Sequence, residues 1–565
     1  MGDRFCRFYR FLIEFIQKYY RPLFVAAGLT LAVFCFYRLD VKYVDSWDEA
    51  RHGVNAYEMI QNQDFIRHTY NYEVDDWNLK PSLSYWGILA GFLLFGYNVF
   101  ALRFYSAAAY LLTGIACGLF VGRRSRTGGI LVMGFFCANT LPLYAHLARA
   151  GDADSLYLLL FTISMLSMLY IPKNKKCLYL CGLCFSLAFL TKSWHAGMIA
   201  VIGGLYLLIT REICRVRLKE WGIFLGCILA PLVLWFGWRY RADGFDFLKQ
   251  MIRVDLLART GSENFEGHSF PFSFYWETVF GNGDYIYPWI VGICGVGIVA
   301  AFLIWAFRKE KKRIDKERLQ ELLGLILWFC VVFFGFSLMG TKLIWYCYPA
   351  IVPLFMIAAL LLGKFLEAGV KGSPRRKEGQ EEQAALEIPG KAVRAGNQGR
   401  AGRLEEAGNP QKAGCVGGNR KRVFLTVGQF LLAVGCIVLN IYFMRFTYNT
   451  VIRDAKEDDF QDFIRVSVSQ SSPYAGRDAY LAVAGEHPER IGEWDQNRLF
   501  LAEISGNFRC KDGGLEAFWE SDRASVLFLT LEDYLAHEEQ MEEWGCQQLW
   551  RDREHPYVLV GKQRR

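Results

Sequence analysis

Apolar runs of about 20 residues recur along this chain, and clusters of Lys and Arg occupy every second gap between them. A run of that length crosses the hydrocarbon core as a helix, because no other open structure satisfies its own backbone there. The spans lie at about 22–39, 101–121, 128–147, 154–171, 177–191, 195–210, 221–240, 286–307, 321–340, 344–363 and 423–444, about eleven in all. A further apolar stretch, 83–96, is short and follows Lys80-Pro81, so it reads as interfacial or re-entrant.

The basic residues test this drawing. With the N-terminus inside, one side collects Arg123, Arg124 and Arg126, then Lys173, Lys175 and Lys176, then Arg211, Arg215, Arg217 and Lys219, then 308–318 and the basic segment 364–422. The positive-inside rule predicts that sorting, and counting 83–96 as a crossing inverts it. The first run follows Arg4, Arg7, Arg10, Lys18 and Arg21 and lacks a small-residue cleavage site, so it reads as a retained helix.

The fold class expected is therefore mainly α: a polytopic membrane helix bundle, 1–363, with large outer loops at 40–100 and 241–285. Segment 364–422, rich in Gly, Ala, Arg, Glu and Gln, reads as a disordered cytoplasmic linker, with contact to anionic lipid left open. A last span at 423–444 leads to 445–565, where short apolar runs at 480–484, 499–504, 525–530 and 557–560 alternate with charged helix-like stretches. That pattern reads as a small extracytoplasmic α/β domain. Most of the sixteen cysteines fall in apolar segments and read as buried hydrophobes; Cys510 and Cys546 could pair outside the cell. The net charge of +8 is modest, and basic clusters beside apolar runs exclude a nucleic-acid reading.

The crossing count puts a set of polar residues on one outer face, where charge beside hydrocarbon marks a site. Ser46-Trp47-Asp48-Glu49 has capping-box spacing and starts a helix with Asp48 and Glu49 in its first turn; both could merely favour the helix dipole. Lys80, before Tyr85-Trp86, is either an interfacial anchor or an anion ligand. Arg149, Asp152 and Asp154 share a turn, where either acid could cap a helix. Lys192 and Lys342 sit at further outer turns, and loop 241–285 carries Arg253, Arg259 and His268. Cations suit a phosphate and acids suit proton removal from a hydroxyl or amine. A phosphate beside an apolar face suggests a lipid phosphate.

Asp48-Glu49-Ala50-Arg51, followed by Lys80-Pro81-Ser82-Leu83-Ser84-Tyr85-Trp86, resembles the "DEAR…KPPLxYW" signature of the integral-membrane GT-C glycosyltransferases. The group is the one holding protein O-mannosyltransferases and the lipid A aminoarabinose transferase. The stretch Arg149 to Leu156, Leu190-Thr191-Lys192, His268 with Pro271-Phe272, and Lys342 to Pro349 match in order. The resemblance implies a polyprenyl-phosphate sugar donor, a lipid, protein or glycan acceptor, transfer with inversion on the outer face of a bacterial plasma membrane, and no nucleotide. It carries Asp48 to the main catalytic acid, with Glu49 in support and Asp154 or Asp152 as a second acid. Donor-phosphate contacts fall to Arg51, Lys80, Arg149, Lys192, Lys342, Tyr346 and Tyr85. His268 matches a metal-associated histidine, so a divalent metal is a possible cofactor; Leu79 stands where relatives carry an acid, and Asp75 or Asp76 could substitute. The rival readings are a transporter or lipid flippase, with paired repeats and midplane charges, and a non-catalytic scaffold.

Overall fold

The computed structural model describes residues 2–75, 77–261, 267–307, 316–371, 415–456, 458–467, 473–483 and 496–563. Its helices are α1 (Gly2–Lys18), α2 (Tyr20–Phe36), α3 (Asp48–Asn62), α4 (Leu83–Phe95), α5 (Val99–Gly122), α6 (Arg126–Cys137), α7 (Thr140–Tyr144), α8 (Asp154–Tyr170), α9 (Cys177–Lys192), α10 (Gly197–Ile209), α11 (Leu218–Asp243), α12 (Asp246–Gln250), α13 (Tyr287–Phe307), α14 (Lys316–Leu338), α15 (Tyr348–Lys371) and α16 (Cys415–Tyr448).

Six helical segments among the described residues are long and apolar enough to cross a membrane, or seven if the bent pair α1–α2 forms one span. Four more apolar helices are shorter. The chain is a multi-pass membrane protein, but length and apolarity alone do not reach eleven spans. One of the six, Cys177–Ile209, has 33 residues. A straight helix of that length would be about 50 Å long. Instead Lys175, just before it, ion-pairs with Glu212, just after it. The segment is therefore folded back at the 3₁₀ turn Ser193–Ala196, which agrees with two spans.

One expected span is interrupted. The apolar run 128–147 is helical only to Cys137 and resumes as the short α7. Asn139 sits at the break, where its side chain donates to the Tyr110 hydroxyl (2.9 Å) and accepts from the Tyr287 hydroxyl (2.7 Å). Pro142 then fits the first turn of a new helix, where its missing N–H costs nothing.

The basic loops gather. Arg124 pairs with Glu321 (Nε to Oε2, 2.6 Å), Lys173 with Glu317 (3.1 Å), and the Arg126 guanidinium donates to the Gln17 carbonyl (2.7 Å). Ser125 reaches Glu367 at the far part of α15 (2.9 Å). Helices α5, α8, α9 and α15 each have one terminus here and the other beside the polar set described below.

The expected linker is shorter than drawn. Positions 364–371 continue α15 and 415–422 open α16; the remainder, 372–414, lies outside the described residues.

Beyond α16 the chain forms helix α17 (Asp459–Ser467), helix α18 (Gln496–Gly506) and a five-stranded mixed sheet. A two-residue hairpin, β1 (Thr69–Tyr70) and β2 (Glu73–Val74), precedes it in the first outer loop. The sheet consists of β3 (Asp478–Ala482), β4 (Arg509–Lys511), β5 (Ser525–Thr530), β6 (Gln547–Arg551) and β7 (Tyr557–Lys562), in the order β4-β3-β5-β7-β6. β3 runs parallel to β4 and β5, while β7 is antiparallel to β5 and β6. Both faces are buried with period two: Val526, Phe528 and Leu559 pack toward α3, and Leu527, Leu529, Val558 and Val560 pack on the other side. The run 499–504, whose length and apolarity suited a strand, is instead the interior of α18; short apolar runs do not distinguish the two. Cys510 is buried, and it forms no disulfide with Cys546.

Helix α18 packs directly on α3. Gly53 lies against the Phe500 ring, where an added Cβ would approach to 2.5 Å. Tyr57 donates to Asn507 (2.6 Å). Between them Glu58 and Glu503, both fully buried, face each other, and neither Glu503 oxygen meets a hydrogen-bond donor. Two carboxylates cannot donate to each other, so a proton is held between them. Burial pushes Glu58 up to about 7, against the Thr69 and Tyr72 hydrogen bonds that pull it down. Burial and the facing Glu58 push Glu503 up further. An unfolded glutamate titrates near ~4.3. The stability this pair lends is therefore complete below that value and is lost as the pH rises through about 7. Glu503→Gln, which can donate to an ionised Glu58, should flatten this dependence. Thermal midpoints of wild type and variant should agree near pH 5 and diverge in favour of the variant near pH 8.

Candidate active site

The site begins with a buried clamp. Glu49 follows Asp48 in the first turn of α3, and its carboxylate accepts from Arg103 of α5 at both oxygens (2.7 and 2.8 Å). It also accepts from the Asp45 amide (3.0 Å) and the Gly151 amide (2.8 Å). Arg103 spends its other donors on the carbonyls of Leu39, Lys42 and Tyr43, each at 2.9 Å. All five of its N–H groups are thereby used, the condition under which a buried guanidinium is tolerated. This single pair ties three segments together: the entry to α3, the start of α5 and the loop carrying Asp152. Gly151 has to be small, since a Cβ there would meet Leu102 at 2.6 Å.

The expected capping box does not form. Trp47 adopts a left-handed backbone (φ 67°), and the Ser46 hydroxyl bonds to Asn497 at 3.2 Å. Glu49 accepts from Asp45 instead.

Asp48 and Asp152, projected by these neighbours, face one cavity of about 630 Å³. Lys80 bonds Asp48 at 2.9 Å. His146 Nδ1 lies 3.2 Å from Asp152 Oδ2 and 3.7 Å from Asp48 Oδ2. Its ring stacks on Trp345 at 3.7 Å between centroids, and its backbone is left-handed (φ 57°). Burial pushes the Asp48 carboxyl up, but Lys80, His146 and His52 outweigh it and hold Asp48 below its usual value. The same balance, with Lys80 first among the cations, holds Asp152 lower still. Burial lowers His146, yet its two carboxylates win and raise it. The group is thus two carboxylates facing one lysine and one readily protonated histidine.

The opposite wall comes from the start of α8, the end of α9, the π-helical turns Met251–Ala258 after α12 and the 3₁₀ turn Ile344–Cys347 before α15. Lys192 ion-pairs with Asp154 and lies 5.1 Å from the Tyr346 ring centroid. Arg259 pairs with Asp255 (3.3 Å) and donates to the Tyr346 hydroxyl (3.3 Å), and Ser193 donates to Asp255 (2.9 Å). His195 packs edge-on against Tyr346.

Of the residues assigned catalytic, donor-phosphate or metal roles, Asp48, Lys80, Asp152, Asp154, Lys192, His268 and Tyr346 line the cavity. The others do not, and each has a physical occupation elsewhere. Glu49 is the clamp. Arg51 forks onto Asp75 (2.9 and 2.7 Å) and stacks on Tyr70 and Trp77. Arg149 donates to the carbonyls of Phe34, Cys35, Tyr37 and Arg38, capping the open end of α2. Tyr85 is buried between the rings of His52 and His68. Lys342 donates to the Met339 carbonyl at 2.6 Å. Arg51, Arg149, Tyr85 and Lys342, expected at the donor phosphate, are thus engaged with these partners and do not line the cavity.

Three lining residues escaped the sequence reading, His146, His195 and Asp255, and Arg259 lines the cavity too. The first two fell inside drawn spans, where a lone histidine carries no signal. Arg259 was one loop cation among several.

Metal-binding capacity also moves. His268 joins no cluster of three His, Cys, Asp or Glu ligands among the described residues. Leu79 lines the wall as an apolar residue, and Asp75 is saturated by Arg51, Asn55 and the amides of Trp77 and Asn78. Asp76 lies outside the described residues. The group that could hold a metal is Asp48, His52 and Asp152, whose ligand atoms lie within 4.8 Å of each other. His52 Nδ1 is held by the Asp48 carbonyl, while Nε2 has no hydrogen-bond partner and points at Asp152 Oδ1, 3.9 Å away. That is how metal-ligating histidines are oriented.

Residues 79–237 match the family described as dolichyl-phosphate-mannose-protein mannosyltransferase. An uncharacterized protein of Aquifex aeolicus is 25% identical over 345 residues, covering 60% of this chain and 63% of that one. The undecaprenyl phosphate-alpha-4-amino-4-deoxy-L-arabinose arabinosyl transferase 1 of Pseudomonas fluorescens is 24% identical over 361 residues, covering 60% of this chain and 58% of its own length. The chain thus spans less than two thirds of these relatives. In fold it is similar to ArnT from Cupriavidus metallidurans bound to undecaprenyl phosphate, with a TM-score of 0.55, 17% identity and 95% of this chain and 97% of the other covered. The apo state of that protein gives 0.56, at 16% identity and 96% and 98% coverage. The resemblance to the GT-C glycosyltransferases of the mannosyltransferase and aminoarabinose transferase superfamily is borne out.

Proposed function

We propose that this chain transfers a sugar from a polyprenyl-phosphate donor to a hydroxyl or amine on a lipid, protein or envelope-glycan acceptor, at the outer face of a bacterial plasma membrane. The observation carrying this reading is the Asp48–Lys80 pair at 2.9 Å, in a cavity whose far wall holds Lys192, Arg259 and Tyr346. A carboxylate beside a lysine can hand that lysine to an incoming phosphate. Asp48 then loses its nearest cation, and its affinity for a proton rises. The acceptor oxygen or nitrogen attacks the anomeric carbon, the bond to the phosphate oxygen breaks, and Asp48 takes the acceptor proton. Lys80 and Arg259 stabilise the departing lipid phosphate. One base on one side and cations on the other give single displacement with inversion.

In this reading 1–363 with α16 is the catalytic unit, and 445–565 is an outer domain resting on α3. The ionisable groups gather at one end of the bundle rather than at its midplane, which tells against the flippase alternative. A divalent ion, if the reaction uses one, belongs on Asp48, His52 and Asp152. Chelation then abolishes transfer, whereas it leaves transfer intact if Lys80 alone balances the carboxylates.

The test is purified protein in lipid nanodiscs with a panel of undecaprenyl-phosphate sugars and envelope acceptors. Glycosylated acceptor and free undecaprenyl phosphate are expected in equal amounts, without nucleotide sugar. Movement of intact donor lipid between leaflets of proteoliposomes, with no glycosyl transfer, would overturn the reading.

A further inference from the structure

The first helix does not continue the span that follows it: α1 and α2 are bent by 75°. It lies at the basic end of the bundle, held by Arg126 on the Gln17 carbonyl and by Tyr9 on the Leu366 carbonyl (2.8 Å). Its residues sort into three stripes. Tyr9 and Ile13 are buried against α15 and α16. Phe8, Phe11 and Phe15, at helical spacing, are 55%, 63% and 42% exposed, and Tyr19 continues the row. Exposed Arg7 and Lys18 border that row on its other side, with exposed Arg4 at its N-terminal end and Arg21 just beyond.

A helix with one face on protein, one aromatic face open and one basic face beside it has a natural place. It is the plane of the membrane interface, with rings in the acyl boundary and cations among headgroups. Four exposed cations against the exposed Glu14 make that surface complementary to anions. The attachment to α2 brings it to the leaflet at this end. We propose that α1 is an in-plane membrane anchor whose basic stripe binds anionic phospholipid headgroups, independently of the reaction at the opposite end.

Full-length protein in neutral detergent, titrated with phosphatidylglycerol or phosphatidylcholine and read by native mass spectrometry, tests the headgroup preference. The triple variant R4Q/R7Q/K18Q should retain about tenfold less phosphatidylglycerol, with phosphatidylcholine unaffected. R217Q/K219Q, from another loop at the same end, should retain it normally. Equal retention by both variants overturns the proposal. In nanodiscs, benzoylphenylalanine at position 11 should photo-crosslink to lipid; crosslinking to a second copy of the chain would make the stripe a dimer contact and overturn it as well.

Discussion

Asp48→Asn is expected to lower the turnover of glycosyl transfer by about 10²–10⁴-fold, the range a positioned proton acceptor supplies. The amide keeps the size and the start of α3 but cannot take a proton. It also releases Lys80, which donates to Asp48 at 2.9 Å and to no other carboxylate among the described residues. Donor affinity should therefore hold or improve, because Lys80 no longer has to leave an ion pair to meet a phosphate. Single-turnover rates and donor titrations on the same preparation separate these effects. Lys80→Met should do the reverse, weakening donor binding first. An Asp48→Asn enzyme with unaltered turnover would remove Asp48 from the reaction.

Glu49→Gln should be the most damaging change to the folded state. The substitution leaves Arg103 fully charged and buried, with its carbonyl partners retained but its counterion gone. Breaking a buried pair from one side costs about 3–5 kcal/mol. Much of that should appear as a lower thermal midpoint in detergent. Because Glu49 also holds the Gly151 amide, transfer should fall even in the surviving folded fraction. The double change Glu49→Gln with Arg103→Met should recover stability but not activity, since the link between α3 and the Asp152 loop stays broken. If Glu49→Gln melts like the parent, the clamp is not what holds the three segments.

The residues explain why one part of the site was legible and another was not. Asp48, Lys80 and Asp152 stood out because charge in an outer turn is conspicuous against apolar sequence. Glu49 and Arg149 were just as conspicuous, yet both face inward to satisfy buried partners. A sequence shows that a charge is present but not which side of the helix it leaves by. His146 was hidden for the opposite reason. It lies in an apolar run that reads as uninterrupted helix, but the helix breaks where Asn139 pairs with Tyr110 and Tyr287, and the left-handed His146 follows beside the carboxylates.

What the sequence determined by itself was the alternation: apolar spans, basic gaps on one side and an acidic-cationic set on the other. Hydrocarbon enforces that pattern locally, residue by residue, so it survives without coordinates. The tertiary structure decided the rest. It folded Cys177–Ile209 back on itself through Lys175 and Glu212, packed α18 onto the helix that carries Asp48, and sorted the polar set into groups that face the cavity and groups that hold it together. Those choices depend on which buried donor finds which acceptor across hundreds of residues, and no local pattern encodes that pairing.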